Sequence, residues 1–190
     1  MAFKSIITLV LLALHMPAAL SQAPQLEHPL PALTIEDRGE ILLQGNDFTY
    51  DSWSSETSPN GVHVLQYLAA TRTASKLFEP LTDGLQASFD RNDYHVTTII
   101  NLDAAMWGTT GFVVSEIEKN KRMHPDSTLV LDADGAGAKH WQLGEEGAGV
   151  IIMDTEGIVR YFTRSALSEA ELANVLDLVR DQIESCTSVC

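Results

Sequence analysis

The chain has 190 residues, 45% of them hydrophobic and 20% charged, and its 12 Lys and Arg against 26 Asp and Glu leave a formal charge of -14. That balance fits one folded domain able to bury its own apolar core and excludes a disordered chain. The carboxylate excess repels nucleic acid and anionic lipid, and with no DNA-reading motif present it argues against a role on nucleic acid.

Residues 1–21 form a secretory signal pattern. Lys4 opens it, an apolar run occupies 6–14, and Ala19 and Ser21 supply small residues for cleavage before Gln22, with an alternative end at Ala23. The apolar run is too short to span a bilayer comfortably, so no stable membrane insertion is expected after cleavage. Losing Lys4 would leave 11 basic residues against 26 acidic ones, a charge of -15. The remainder is expected to form a single domain over 24–185, followed by a cysteine-containing tail at 186–190.

Pro24, Pro29 and Pro31 suggest an extended lead-in. Residues 34–43 are expected to form a small hairpin turning at Arg38-Gly39. The polar stretch 51–61, with Trp53 and Pro59, reads as a loop packed by one aromatic. Val62, Val64, Leu65, Tyr67 and Leu68 mark a largely covered strand over 62–70. A helix follows, beginning near Thr71 or Thr73 and running toward Leu85, with Pro80 producing either a kink or a restart. Residues 94–101 form the next strand. Residues 110–123 form a helix in which Phe112, Val113, Ile117 and Lys121 suggest a buried stripe, ended by His124-Pro125.

Residues 128–131 are a short buried strand, followed by a turn at 132–135. The strands 149–154 and 158–162 flank Asp154-Thr155-Glu156-Gly157, an antiparallel hairpin signal. In the closing helix Ser168 and Glu171 make a capping box, Leu167 and Leu172 a hydrophobic staple, and Leu172, Val175, Leu176, Val179 and Ile183 a helical stripe. Together these elements imply an α/β fold, a mixed sheet covered by helices with an N-terminal hairpin extension.

This order, with the residues at 34–40, 64–73, 94–101, 141–143 and 154–157 and the closing helix, resembles the YtfJ family of periplasmic proteins within the thioredoxin-like superfamily. The resemblance covers nearly all of the chain after the signal pattern. It implies a thioredoxin-like fold and a periplasmic location, and it brings no defined biochemical role.

Active thioredoxins carry CxxCKxxxP where a strand gives way to a helix. The matching stretch here runs from Arg72 to Pro80: Lys76 and Pro80 keep their places, but Arg72 and Ser75 occupy the two cysteine positions. Disulfide exchange needs a sulfur nucleophile and a sulfur leaving group, which this junction lacks. The loop 144–149 also has no proline where redox thioredoxins present a cis-proline.

Two readings of the junction stay open. Arg72, Thr73 and Ser75 could bind an anion or a peptide, with Trp107 on a nearby strand-end loop, or they could serve locally as a helix cap and an ion pair. Glu145 and Glu146 form either an acidic rim beside that face or a solvated turn. Cys186 and Cys190 are the only cysteines, spaced unlike CxxC; they could join in a small terminal disulfide or crosslink chains. Asp132 and Asp134 read as turn residues, and the histidines lack metal spacing. No catalytic residue, metal or cofactor is assigned. The leading expectation is a non-catalytic periplasmic protein that binds a peptide or protein partner; the alternatives are an atypical thiol-disulfide oxidoreductase using the two C-terminal cysteines and a structural or assembly protein.

Overall fold

The computed structural model describes residues 22–57 and 61–189, with side chains as far as residue 185. Seven strands form one mixed sheet in the order β2-β1-β5-β4-β3-β6-β7: β1 (Thr34–Gln44), β2 (Asp47–Ser54), β3 (Val62–Ala69), β4 (Tyr94–Asn101), β5 (Thr128–Asp132), β6 (Gly149–Met153) and β7 (Val159–Thr163). The three central strands β3, β4 and β5 are parallel, and all other pairings are antiparallel. The helices are α1 (Glu79–Ser88), α2 (Thr110–Met123), α3 (Ala136–His140) and α4 (Glu169–Val189). The signal pattern at 1–21 lies outside the described residues.

Alternation along the strands sorts the core into two faces. Val62, Val64, Val150 and Ile152 point to the face covered by α1 and α4, where Phe78, Leu81, Leu85, Val175 and Val179 complete a buried cluster. Leu129 and Leu131 meet Val114 of α2 on the same side. Leu65, Tyr67, Ile99, Val130 and Ile151 face the other way, under Leu33, Trp53, Trp141 and Leu143. The stripe expected for α4 is therefore the one that covers the sheet. Its capping box also forms: the Ser168 N–H donates to Glu171 Oε2 at 2.9 Å, and the Glu171 N–H donates back to Ser168 Oγ at 3.3 Å.

The N-terminal hairpin is longer than expected and turns elsewhere. β1 and β2 reverse at Gly45, while Arg38 and Gly39 form a bulge where the register jumps from Ile35 opposite Trp53 to Glu40 opposite Asp51. Both residues are left-handed, with φ of 66° and 70°. A Cβ on Gly39 would stand 2.0 Å from the Asp51 carbonyl oxygen, so the close approach requires glycine. The bulge also reverses the strand's parity: Ile35 packs on the Tyr67 side, and Ile41, six residues on, packs on the α2 side. An arginine-glycine pair suits a bulge as well as a turn, and continued pairing on both sides decides for the bulge.

Other expectations need smaller corrections. Asp51 to Ser54 complete β2 instead of opening a loop, with Trp53 buried. The helix after β3 restarts, as one of its two expected forms allowed: a 3-10 turn at Ala74–Lys76 precedes α1, whose first turn holds Pro80. Phe112 is 70% exposed, so the buried stripe of α2 runs through Val114 and Lys121, with Val113 and Ile117 packed beside it. The Lys121 ammonium donates to the Ser127 carbonyl at 2.5 Å, which explains a lysine in that stripe. The short helix α3 has no apolar period to announce it.

His63 and His95 are neighbours in the β3–β4 register, their rings edge-on at 5.4 Å. His63 Nε2 meets Thr97 Oγ1 at 2.9 Å, and His95 Nε2 meets Thr128 Oγ1 at 3.0 Å. Burial, with the nearby His95, pushes the His63 imidazole down from 6.5 to about 3. The fold thus holds the neutral ring while the unfolded chain takes up a proton near 6.5. This contribution to stability is complete above pH 6.5 and drains away as the pH falls toward 3, with a slope of up to ~1.4 kcal/mol per pH unit. Urea titrations at pH 7 and pH 5 are expected to show a lower midpoint at pH 5, and His63→Gln is expected to flatten that difference. An unchanged slope in the variant would remove His63 from the account.

Candidate functional site

The parallel strands β3, β4 and β5 end together, and the chain leaves each through a loop at the same end of the sheet. Between these loops lies a cleft of about 670 Å³, lined by Thr71, Thr73 and Leu77 after β3, by Asn101, Asp103 and Ala104 after β4, and by Lys139 and the loop 144–147 beyond. Its size falls in the range of small-ligand sites.

The floor is Asn101, the last residue of β4, which is only 6% exposed. Its Oδ1 accepts the Asp103 N–H at 3.0 Å and so caps the 3-10 turn Leu102–Ala104. The wall formed by α3 is held from below by Asp132. This carboxylate, 1% exposed, accepts the Tyr67 hydroxyl at 2.6 Å and the N–H groups of Ala136 and Gly137 at 3.0 and 2.8 Å. Burial, reinforced by that bond and the carboxylate's charge, pushes the Tyr67 hydroxyl far above its ordinary value of 10, so it stays protonated as a donor. On the rim Lys139 stands 3.9 Å from Asp103, both side chains largely exposed. Glu145 and Glu146 are exposed along the facing loop.

The residues singled out from the sequence divide here. Thr73 lines the cleft. Arg72 and Ser75 sit exposed on the adjoining turn, outside the lining. Neither Thr73 nor Ser75 caps that turn: Thr71 Oγ1 accepts the Ala74 N–H at 3.2 Å, and Ser75 Oγ donates to the Arg72 carbonyl at 3.0 Å. Arg72 makes no ion pair among the described residues. Trp107 is 98% exposed, three residues beyond the lining residue Ala104. Trp53 and Trp141 are both buried in the core. Glu145 and Glu146, weighed as an acidic rim or a solvated turn, border the cleft. Asn101 escaped the sequence reading because it looks like an ordinary strand end; a polar residue closing an apolar parallel strand was the available signal.

No lining residue carries a sulfur. The described residues contain no cis peptide bond, including the loop 144–149. Helix α4 runs away from the cleft: Leu176 packs beside Gly84 in the middle of α1, and the Arg180 guanidinium lies 5.6 Å from the Phe89 ring. Phe89 in turn meets Tyr94, the first residue of β4, at the opposite end of the sheet. The backbone of Cys186 continues α4, about 9 Å further along at 1.5 Å per residue. The side chains of Cys186 and Cys190 lie outside the described residues, and so do both arrangements open to them, a small terminal disulfide and a crosslink between chains. Among the described residues no three His, Cys, Asp or Glu side chains are grouped to hold a metal ion, and no helix is long and apolar enough to cross a membrane.

The profile of a family described as "Bacterial protein of unknown function (YtfJ_HI0045)" matches residues 25–182. The "Uncharacterized protein YtfJ" of Escherichia coli (strain K12) is 33% identical over 181 residues, 95% of this chain and 98% of that one. An "Uncharacterized protein" of Haemophilus influenzae is 32% identical over 177 residues, 93% of this chain and 96% of that one. Among solved structures, the chain resembles a thiol-disulfide isomerase from Corynebacterium glutamicum (TM-score 0.55, 14% identity, 78% of this chain and 95% of that one). It also resembles a DsbF homologue from Corynebacterium diphtheriae (TM-score 0.54, 15% identity, 86% and 96%). At these identities the likeness is one of fold, and the fold is thioredoxin-like.

Proposed function

The chain belongs to the YtfJ_HI0045 family of bacterial proteins of unknown function, and from that premise we propose that it is a non-catalytic periplasmic protein that holds a peptide or protein segment over the cleft at the ends of β3 and β4. The observation that carries this reading is a cleft of ligand size at the strand-to-helix junction with no sulfur in its lining. Electron exchange with a disulfide needs a thiolate within bonding reach, whereas recognition needs only donors, acceptors and a shaped surface. Thr73 supplies a hydroxyl inside the cleft, Arg72 an exposed cation on its shoulder, Ser75 a hydroxyl on the same turn and Trp107 a bare indole beyond the rim. An indole exposed to this degree offers a large apolar contact to a partner at no cost to the core.

A photocrosslinking residue in place of Thr73 tests this in the periplasm of a Gram-negative host. It is expected to capture a partner, while the same residue at Glu156, on the hairpin turn at the opposite end of the sheet, is not. Trp107→Ala is expected to lower capture several-fold while moving stability by less than ~0.5 kcal/mol, as for other fully exposed positions. Equal capture from both positions would remove the cleft from the argument.

The names of the similar structures favour a second reading, thiol-disulfide exchange by Cys186 and Cys190. In it the two thiols would reduce a substrate disulfide to two thiols and form one disulfide between themselves, passing two electrons and two protons. The course of α4 would put that reaction at the far end of the sheet from the cleft. Turnover of a disulfide substrate that disappears when both cysteines are changed to serine would replace the binding reading with this one.

A further inference from the structure

The floor of the cleft holds a polar group whose bonding is incomplete. Because Asn101 Oδ1 takes the Asp103 N–H, its Nδ2 is turned the other way, and no acceptor among the described residues receives a hydrogen from it. The side chain is only 6% exposed, and the hydrogens of Nδ2 are left to the open cleft, so a guest that brings an acceptor there is recognised by a donor already fixed in place. Two glycines keep the approach open. A Cβ at Gly135 would stand 3.2 Å from Nδ2 and 3.0 Å from Oδ1, and one at Gly147 would stand 3.7 Å from Nδ2. Both glycines have left-handed backbones, φ 64° and 54°, so the loops that carry them bend over the amide without side chains in the way.

The rim supplies a second requirement. The lining holds three carboxylates, those of Asp103, Glu145 and Glu146, and one ammonium, that of Lys139, which stands next to Asp103. Glu145 and Glu146 make no ion pair among the described residues. Arg164, the cation on the outside of this loop, donates to the Gln142 carbonyl at 2.9 Å. A guest that satisfies both levels therefore carries an uncharged acceptor to reach the floor and a cation to lie along the rim.

Resting on the peptide-binding reading above, we propose that the cleft takes an extended peptide segment whose main-chain carbonyl accepts the Asn101 Nδ2 hydrogen while an adjacent Lys or Arg side chain lies against Glu145 and Glu146. A carbonyl fits the floor because it accepts without bringing a charge into a site flanked by carboxylates. The strongly acidic chain as a whole also draws a basic segment toward it.

The test uses two blocked pentapeptides, acetylated and amidated, that alternate Ala with Lys or Ala with Glu, titrated into the isotope-labelled protein. The Lys peptide is expected to shift the Asn101 side-chain amide signals together with the backbone amides of Gly135 and Gly147, and to bind more tightly than the Glu peptide. Changing both Glu145→Gln and Glu146→Gln is expected to weaken the Lys peptide about three- to ten-fold and to abolish the preference, the range that two exposed ion pairs support. Both substitutions are on exposed side chains, so folding is unaffected. Equal binding of the Glu peptide, or no response of the variant, overturns the basic-segment assignment and leaves the peptide reading standing. Shifts that map away from the cleft, or no binding of either peptide, overturn both.

Discussion

Asp132→Ala is expected to lower stability by about 3–5 kcal/mol, because three donors, two of them buried and one half-buried, lose their acceptor at once. The carboxylate is 1% exposed and binds the Tyr67 hydroxyl and two successive N–H groups at the start of α3. Removing it leaves those groups facing an apolar pocket that includes Leu33 and Trp141. Tyr67→Phe separates the parts. It deletes one donor and leaves the two backbone bonds in place, so a loss of about 1–2 kcal/mol is expected. Urea unfolding of the two variants provides the comparison, and an Asp132→Ala loss below ~1 kcal/mol would show that water or rearrangement fills the gap. The consequence reaches the cleft: α3 carries Ala138 and Lys139 on its wall, so peptide binding is expected to fall in Asp132→Ala even below the unfolding midpoint.

Trp141→Ala is expected to cost about 3–5 kcal/mol as well, by a different mechanism. Trp141 is among the largest fully buried side chains, and it meets Tyr67 edge-on at 6.2 Å. Its truncation opens a cavity in the face of the core that no long helix covers. Its Nε1–H also donates to the Pro31 carbonyl at 2.9 Å, one of the bonds that fix the N-terminal lead-in against the domain. Faster proteolysis of residues 22–33 should therefore accompany the drop in melting temperature. Trp141→Phe keeps much of the ring and loses the hydrogen bond, and about 1–2 kcal/mol is expected. Since Tyr67 touches both Asp132 and Trp141, the double variant should depart from the sum of the two losses. Strict additivity would mean that the two supports of α3 act independently.

Much of the framework was legible before any packing was known. The capping box of α4, the helix 110–123 and the hairpin around Gly157 each rest on interactions between residues a few positions apart, and the strand 94–101 is marked by its β-branched and apolar run although its hydrogen bonds go to β3 and β5. Local sequence carries such interactions in full. Arg38-Gly39 marks the limit of that reasoning, since a left-handed pair fits a turn or a bulge and only the neighbouring strand β5, paired at Arg38, Gly39 and Glu40, selects between them. Phe112 and Trp107 show the same limit on the surface: an apolar residue at the right spacing has no say in whether another element arrives to cover it.

By itself the sequence determined the strands and longer helices from Val62 onward and the absence of sulfur from Arg72 to Pro80, because short-range periodicity and residue identity are properties of the chain alone, while the thioredoxin-like class came from its resemblance to a known family. The tertiary structure alone decided that Asn101, Gly135, Gly147 and Thr73 share one cleft and that Asp132 supports its wall. Those residues are distant in sequence, and the parallel register of β3, β4 and β5 is what brings their strand ends to one edge of the sheet.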